Sequence, residues 1–125
     1  RARELGVQDR VRLHGRTDDV AALYQAMDVL CVPSTFEALG IVAVEGQAAG
    51  LPVVTSTAVP SEAHAGGAMS RIPLDVSQWA AALAVAPADP AARAEGAARV
   101  AEAGYDMHTV AAEVAKAYGK IPIRR

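Results

Sequence analysis

The sequence predicts an α/β fold with a doubly wound parallel sheet followed by C-terminal helices, and three observations carry that prediction. Strand and helix signals alternate with only short loops between them. The strand candidates Val29-Leu30-Cys31-Val32 and Val53-Val54-Thr55 are short and lack polar alternation, as expected of parallel strands covered on both faces. Gly and Pro fall where helices should stop and strands should end, at Gly6, Pro33, Gly50 and Pro52.

Arg1 to Leu5 reads as the last turn of a helix stopped by Gly6, so the chain is expected to continue something larger. After the polar turn Gln8-Asp9-Arg10, Val11-Arg12-Leu13-His14 reads as a short strand ended by Gly15. Asp18 or Asp19 caps the next helix, with Ala21, Ala22, Leu23 and Met27 as its apolar stripe. Asp28-Val29-Leu30-Cys31-Val32 is a buried parallel strand, and Cys31 within it an inert small hydrophobe. A helix follows from Ile41 to Ala49, then a buried strand, Val53-Val54-Thr55. A turn-rich stretch from Thr57 to Gly67 leads to a brief strand near Met69 to Ile72. Helices complete the chain at about Ser77 to Ala86, Pro90 to Ala103 and Met107 to Tyr118, with Ser77 and Asp106 as caps and Pro90 at a first helical position. Trp79, Tyr105 and Tyr118 read as packing residues of these helices. The whole, 1–125, reads as one partial domain with an α/β core over about 6–75 and terminal helices over 76–125.

Composition narrows the function classes. An apolar share of 52% supports a packed core. Aromatics at 4% and a net charge of −2 argue against nucleic acid as a partner, since neither stacking platforms nor a basic surface is available. A single cysteine excludes an internal disulfide and a Cys-based zinc cluster. No apolar stretch reaches membrane-spanning length, and the opening Arg1-Ala2-Arg3-Glu4 does not read as a signal peptide.

The chemistry concentrates between Pro33 and Pro52. In open α/β sheets, ligands bind beyond the carboxyl ends of the strands, and the loop after Val32 lies there. Gly40 removes a side chain where the next helix starts, so N–H groups of Gly40, Ile41 and Val42 face an open site and, with the helix dipole, suit a diphosphate. Glu37 precedes this helix end, and Glu45 lies roughly 6 Å inside it at 1.5 Å per residue. A ligand with phosphates at the helix end could offer one polar group to each carboxylate, which is the layout of a nucleotide-sugar. Each residue also has a plainer reading. Glu37 could be a cap, Gly40 a turn glycine, Glu45 an ion-pair partner of a core arginine such as Arg16, and His14 a satisfied structural histidine.

Glu37-x7-Glu45, followed by Ala48-Ala49-Gly50-Leu51-Pro52-Val53-Val54, resembles the retaining glycosyltransferases of family GT4. Val11-Arg12-Leu13-His14-Gly15-Arg16 with Asp18-Asp19-Val20, and Ala26-Met27-Asp28-Val29 followed by Pro33-Ser34, extend the likeness. Ile72-Pro73-Leu74 and Trp79 resemble exopolysaccharide-type members more weakly. The resemblance implies the incomplete C-terminal, nucleotide-sugar-binding half of a GT-B fold, with a Rossmann-like sheet. It implies that Glu37 is the catalytic-site glutamate near the donor sugar, that Leu39, Gly40, Ile41 and Val42 offer N–H groups to sugar and phosphate, that Glu45 binds ribose hydroxyls, and that Gly15, Arg16 and Thr17 lie near the base. Ala38 stands where members commonly have glycine, and Leu39 where they have an aromatic, so the donor-sugar pocket departs from the family pattern.

By the same resemblance the cationic residues that bind the diphosphate, and the acceptor-binding N-terminal domain, precede this segment. No Asp-x-Asp pair occurs, so a metal site is not expected and no cofactor is needed beyond the nucleotide-sugar substrate. The expected partners are a nucleotide-sugar donor and, through the missing domain, a glycan or lipid-linked acceptor. Val11–His14 or a neighbour, as an unpaired sheet edge, would invite homo-association. The parent is placed in the cytoplasm or at the inner membrane surface. The competing readings are a nucleotide-sugar or phosphate-sugar binding module without turnover, and a pure interaction domain.

Overall fold

A computed structural model describes residues 1–84 and 89–120. Its centre is a parallel sheet of three strands in the order β1-β2-β3: β1 (Leu30–Val32), β2 (Val53–Ser56) and β3 (Met69–Ile72). Leu30 pairs with Val53 and Val32 with Thr55, and Val53 pairs with Met69 and Ser56 with Ile72. All four β2 residues are buried, which matches its central place and its branched, compact side chains. The sheet and its helices form the predicted Rossmann-like α/β arrangement.

Helix α1 (Val20–Ala26) precedes β1, and Asp19 caps it by accepting from Ala22 N–H at 2.9 Å. Its one buried residue is Tyr24. Ala21 and Ala22, expected in the apolar stripe, are exposed, while Leu23 and Met27 are half-buried. The face of α1 turned to the protein is thus the one that carries Leu23, Tyr24 and Met27.

Helix α2 (Ile41–Ala48) lies against the sheet through Ala43, Val44, Gly46 and Gln47. A Cβ on Gly46 would come within 2.5 Å of Leu30 Cδ2, so the helix approaches β1 closely because this position has no side chain. Helix α4 (Pro90–Val100) stacks on α2, where a Cβ on Gly96 would meet the Gln47 and Ala48 carbonyl oxygens at 2.6 and 2.7 Å. The core joins Val32, Ala43, Val44, Val53, Val59, Ala63, Ala65 and Val100.

Several expectations are corrected. Arg1 to Leu5 forms a hydrogen-bonded turn rather than a regular helix, closed at Gly6 with φ +66°. Val11–His14 is not a strand. It pairs with no strand among the described residues, and Leu13 is 94% exposed. A short strand-like run after a polar turn is a local signal and supplies no partner for the ladder. Cys31 is exposed, because β1 is an edge strand whose second face is not fully covered; partial burial still raises its thiol pKa.

Helix α3 (Val76–Ala84) is capped by Asp75, which accepts from Gln78 N–H, and not by Ser77; the predicted end at Val85 and Ala86 lies outside the described residues. Helix α4 stops at Val100, capped by Asp89 at its start, and a wide turn over Ala101–Tyr105, with Gly104 at φ +93°, leads to α5 (Met107–Tyr118), capped by Asp106 as expected. Trp79 is half-buried and donates Nε1–H to Pro73 O, and Tyr105 donates to Glu62 O, but Tyr118 is 70% exposed and packs nothing away. No helix among the described residues is long and apolar enough to cross a membrane.

Candidate functional site

The candidate site forms where β1 and β2 end side by side. Ser56, the last residue of β2, donates its hydroxyl to Ser34 O and accepts from Ala58 N–H at 3.2 Å. One side chain thus ties together the two loops that leave the sheet. Arg71 on β3 secures the second loop by donating to Val59 O at 2.8 Å and Thr57 O at 3.0 Å.

Gly40 starts α2 with φ +80° and ψ 46°, a left-handed conformation that glycine adopts without strain. A Cβ there would also approach Val59 Cγ1 to 2.8 Å and Glu37 Cγ to 3.4 Å. The residue is glycine both for its backbone and for lack of room. Helices α1, α3, α4 and α5 each receive an aspartate oxygen at their first turn. Helix α2 receives none, and no described residue accepts from the N–H groups of Gly40, Ile41 or Val42. An eight-residue helix therefore presents its positive end and three open donors at the carboxyl edge of a parallel sheet.

The glutamates flank this end. Glu37 is half-buried and accepts a long hydrogen bond, 3.4 Å, from Ser34 Oγ. Glu45 is exposed on α2. It is not held by Arg16: its Oε2 accepts from the Tyr24 hydroxyl at 2.8 Å. Burial of the ring, the hydrogen bond and the Glu45 charge together push the Tyr24 pKa up to about 12. Leu39, Ile41 and Glu45 line one groove of about 620 Å³ with Tyr105, Met107 and Val110. Val42 turns its side chain to the core, leaving its N–H as its contribution. Gly15, Arg16 and Thr17 sit on the stretch before α1, where Thr17 Oγ1 accepts from Asp19 N–H. Among the described residues no hydrogen bond ties these three to Glu37, Gly40 or Glu45.

Two residues that shape the site carry weak sequence signals. Tyr24 is the one aromatic of α1 and lies 21 positions before the glutamate it touches. Gln47 is a lone amide on the buried face of an apolar helix. Its Nε2 donates to Ala43 O at 2.9 Å and Ala63 O at 2.7 Å, and its Oε1 accepts from Ala65 N–H at 2.9 Å and Gly67 N–H at 3.3 Å. A buried amide in that setting signals a backbone to satisfy, but which backbone is visible only once the loop is folded over it.

The family described as "Glycosyl transferases group 1" matches residues 1–103. The chain is 38% identical to a D-inositol 3-phosphate glycosyltransferase of Mycolicibacterium vanbaalenii, covering 95% of this chain and 28% of that protein. It is 37% identical to one of Thermobispora bispora, covering 94% and 29%. Among solved structures it resembles WaaG, a glycosyltransferase involved in lipopolysaccharide biosynthesis, with a TM-score of 0.64 and 30% identity over 85% of this chain and 30% of that one. The chain thus spans under a third of the length of each of these proteins. It belongs to the group 1 family of glycosyltransferases.

Proposed function

We propose that the chain is the donor-binding portion of a retaining, GT4-type glycosyltransferase with the GT-B architecture. Its parent would move a sugar, of the hexosyl class, from a nucleoside diphosphate to a hydroxyl acceptor in bacterial glycan or exopolysaccharide synthesis, working in the cytoplasm or at the inner membrane surface. The observation that carries this reading is the uncapped start of α2 set between Glu37 and Glu45.

In this reading the diphosphate sits at the N–H groups of Gly40, Ile41 and Val42. As the bond from sugar to phosphate breaks, negative charge grows on the leaving oxygens, and donors already aimed at it stabilise the transition state more than the ground state. Glu37 orients the sugar hydroxyls and stabilises positive character on the ring. Glu45 takes the ribose hydroxyls, while Leu39 shapes the sugar pocket. Gly15, Arg16 and Thr17 serve the base. The acceptor is held by the remainder of the parent, and positioning of this kind can supply roughly 7–11 kcal/mol of a barrier. The names of the relatives carry an inositol phosphate and that of WaaG a lipopolysaccharide; both are rich in hydroxyls, which fits a hydroxyl acceptor.

The test is Glu37→Gln in the full-length parent, assayed against a panel of UDP-, GDP- and ADP-sugars. The amide keeps size and loses charge, so turnover should fall on the order of 10²-fold while donor KM stays within about threefold. A turnover number within about twofold of the unsubstituted protein would refute the role. Donor binding with no transfer by the unsubstituted parent would favour a binding module instead.

A further inference from the structure

We propose that Tyr24 is a positioning residue for Glu45: its hydroxyl pins one carboxylate oxygen so that the other faces the donor's hydroxyls in a fixed orientation. This rests on the reading of Glu45 as a donor contact given above. Glu45 is exposed on the outer side of α2, where an untethered glutamate samples many rotamers. Tyr24 is only 7% exposed, so its ring is fixed by packing and only its hydroxyl reaches out, 2.8 Å from Glu45 Oε2.

The backbone carrying that ring is itself anchored. Arg93 on α4 donates to Met27 O and, at 3.5 Å, to Tyr24 O, closing the C-terminal end of α1. Helix α4 is seated in turn against the end of α2, where a Cβ on Gly50 would meet Arg93 Cα at 2.3 Å. Helix α4 thus holds the end of α1, and α1 presents one hydroxyl to a carboxylate oxygen on α2. An ionised carboxylate has about four acceptor positions, and the tyrosine occupies one. A pair of vicinal hydroxyls can take the oxygen left open. Burial, the hydrogen bond and the neighbouring Glu45 charge hold the phenol protonated, so it keeps the proton that it donates to Glu45 Oε2.

The experiment is a double-mutant cycle in the full-length parent, with Tyr24→Phe, Glu45→Ala and the pair. Donor KM, kcat and the dissociation constant of the free nucleoside diphosphate are measured for each. Tyr24→Phe keeps the ring that packs and removes only the hydroxyl. It should raise donor KM and the diphosphate Kd about fivefold, with kcat within twofold, and that rise should vanish in the Glu45→Ala background. Glu45→Asp, which keeps the charge but draws the carboxylate away from Tyr24, should give a comparable rise in KM. A rise in KM from Tyr24→Phe that persists undiminished beside Glu45→Ala would overturn the proposal, as would no rise at all while Glu45→Ala weakens donor binding. If Glu45→Ala leaves donor KM within twofold, the failure lies one step earlier, in the reading of Glu45 as a donor contact.

Discussion

Gly40 joins two requirements that are separable in principle. Its φ of +80° excludes other residues by strain, and Val59 excludes them by volume. Gly40→Ala should therefore cost about 1–3 kcal/mol from the backbone alone, beyond what repacking Val59 adds. The check is chemical denaturation, together with phosphate or nucleotide binding, because the strain acts where the open N–H groups are set. An unchanged midpoint would mean the loop relaxes freely. The absence of a side chain at the helix start was legible in the sequence. The neighbour that enforces it, 19 positions later, was not, since a glycine carries no mark of what crosses over it. Cys31 teaches the converse. An apolar run implied cover on both faces, but the face of β1 that carries Cys31 is left open, and the thiol stands exposed.

At the scale of elements, Gln47 is the fastening between α2 and the loop that closes over it. Its amide meets the buried Ala63 O and Ala65 N–H, neither of which has water to turn to. Gln47→Leu would strand both, and an unsatisfied buried polar group costs about 1–3 kcal/mol. A loss of about 3 kcal/mol in unfolding free energy is expected, with faster amide hydrogen exchange over residues 61–67. A loss under about 1 kcal/mol would show that the loop holds without the amide. The helices themselves were readable: α1, α2, α4 and α5 all start within about a residue of where caps, Gly and Pro place them. Val11–His14 was misread because a short run between a polar turn and a glycine is a local signal, whereas a strand is defined by its partner. The cap of α3 moved from Ser77 to Asp75 because either residue can accept from a first-turn N–H, and local sequence does not choose between them.

On the scale of the whole molecule, the expectation that no metal is required comes from the sequence, which has no Asp-x-Asp pair, and from a helix end able to take the charge of a leaving diphosphate. The full-length parent should therefore keep its transfer activity after treatment with EDTA. Complete loss in EDTA, restored by manganese, would contradict this. The α5 helix has no buried residue, and Met107, Val110, Val114 and Tyr118 stand exposed along it. The sheet has two open edges, β1 and β3, among the described residues. Homo-association through Val11–His14 loses its stated basis, since that segment is not in the sheet.

By itself the sequence determined the parallel class of the sheet, the starts of α1, α2, α4 and α5, and the spacing of two glutamates about an uncapped helix end. These are local properties: periodicity, caps, glycines and spacing along a single helix act over fewer than about ten residues. Only the tertiary structure decided that Ser56 ties the two loops together, that Val59 lies over Gly40, that Gln47 fastens residues 63–67, and that Tyr24 rather than Arg16 holds Glu45. Each of these is a contact between residues 16 to 22 positions apart. Such contacts depend on how closely helices approach the sheet and each other, and here glycines at 46, 50 and 96 set that approach. A sequence shows a glycine's freedom but not the surface that will press against it.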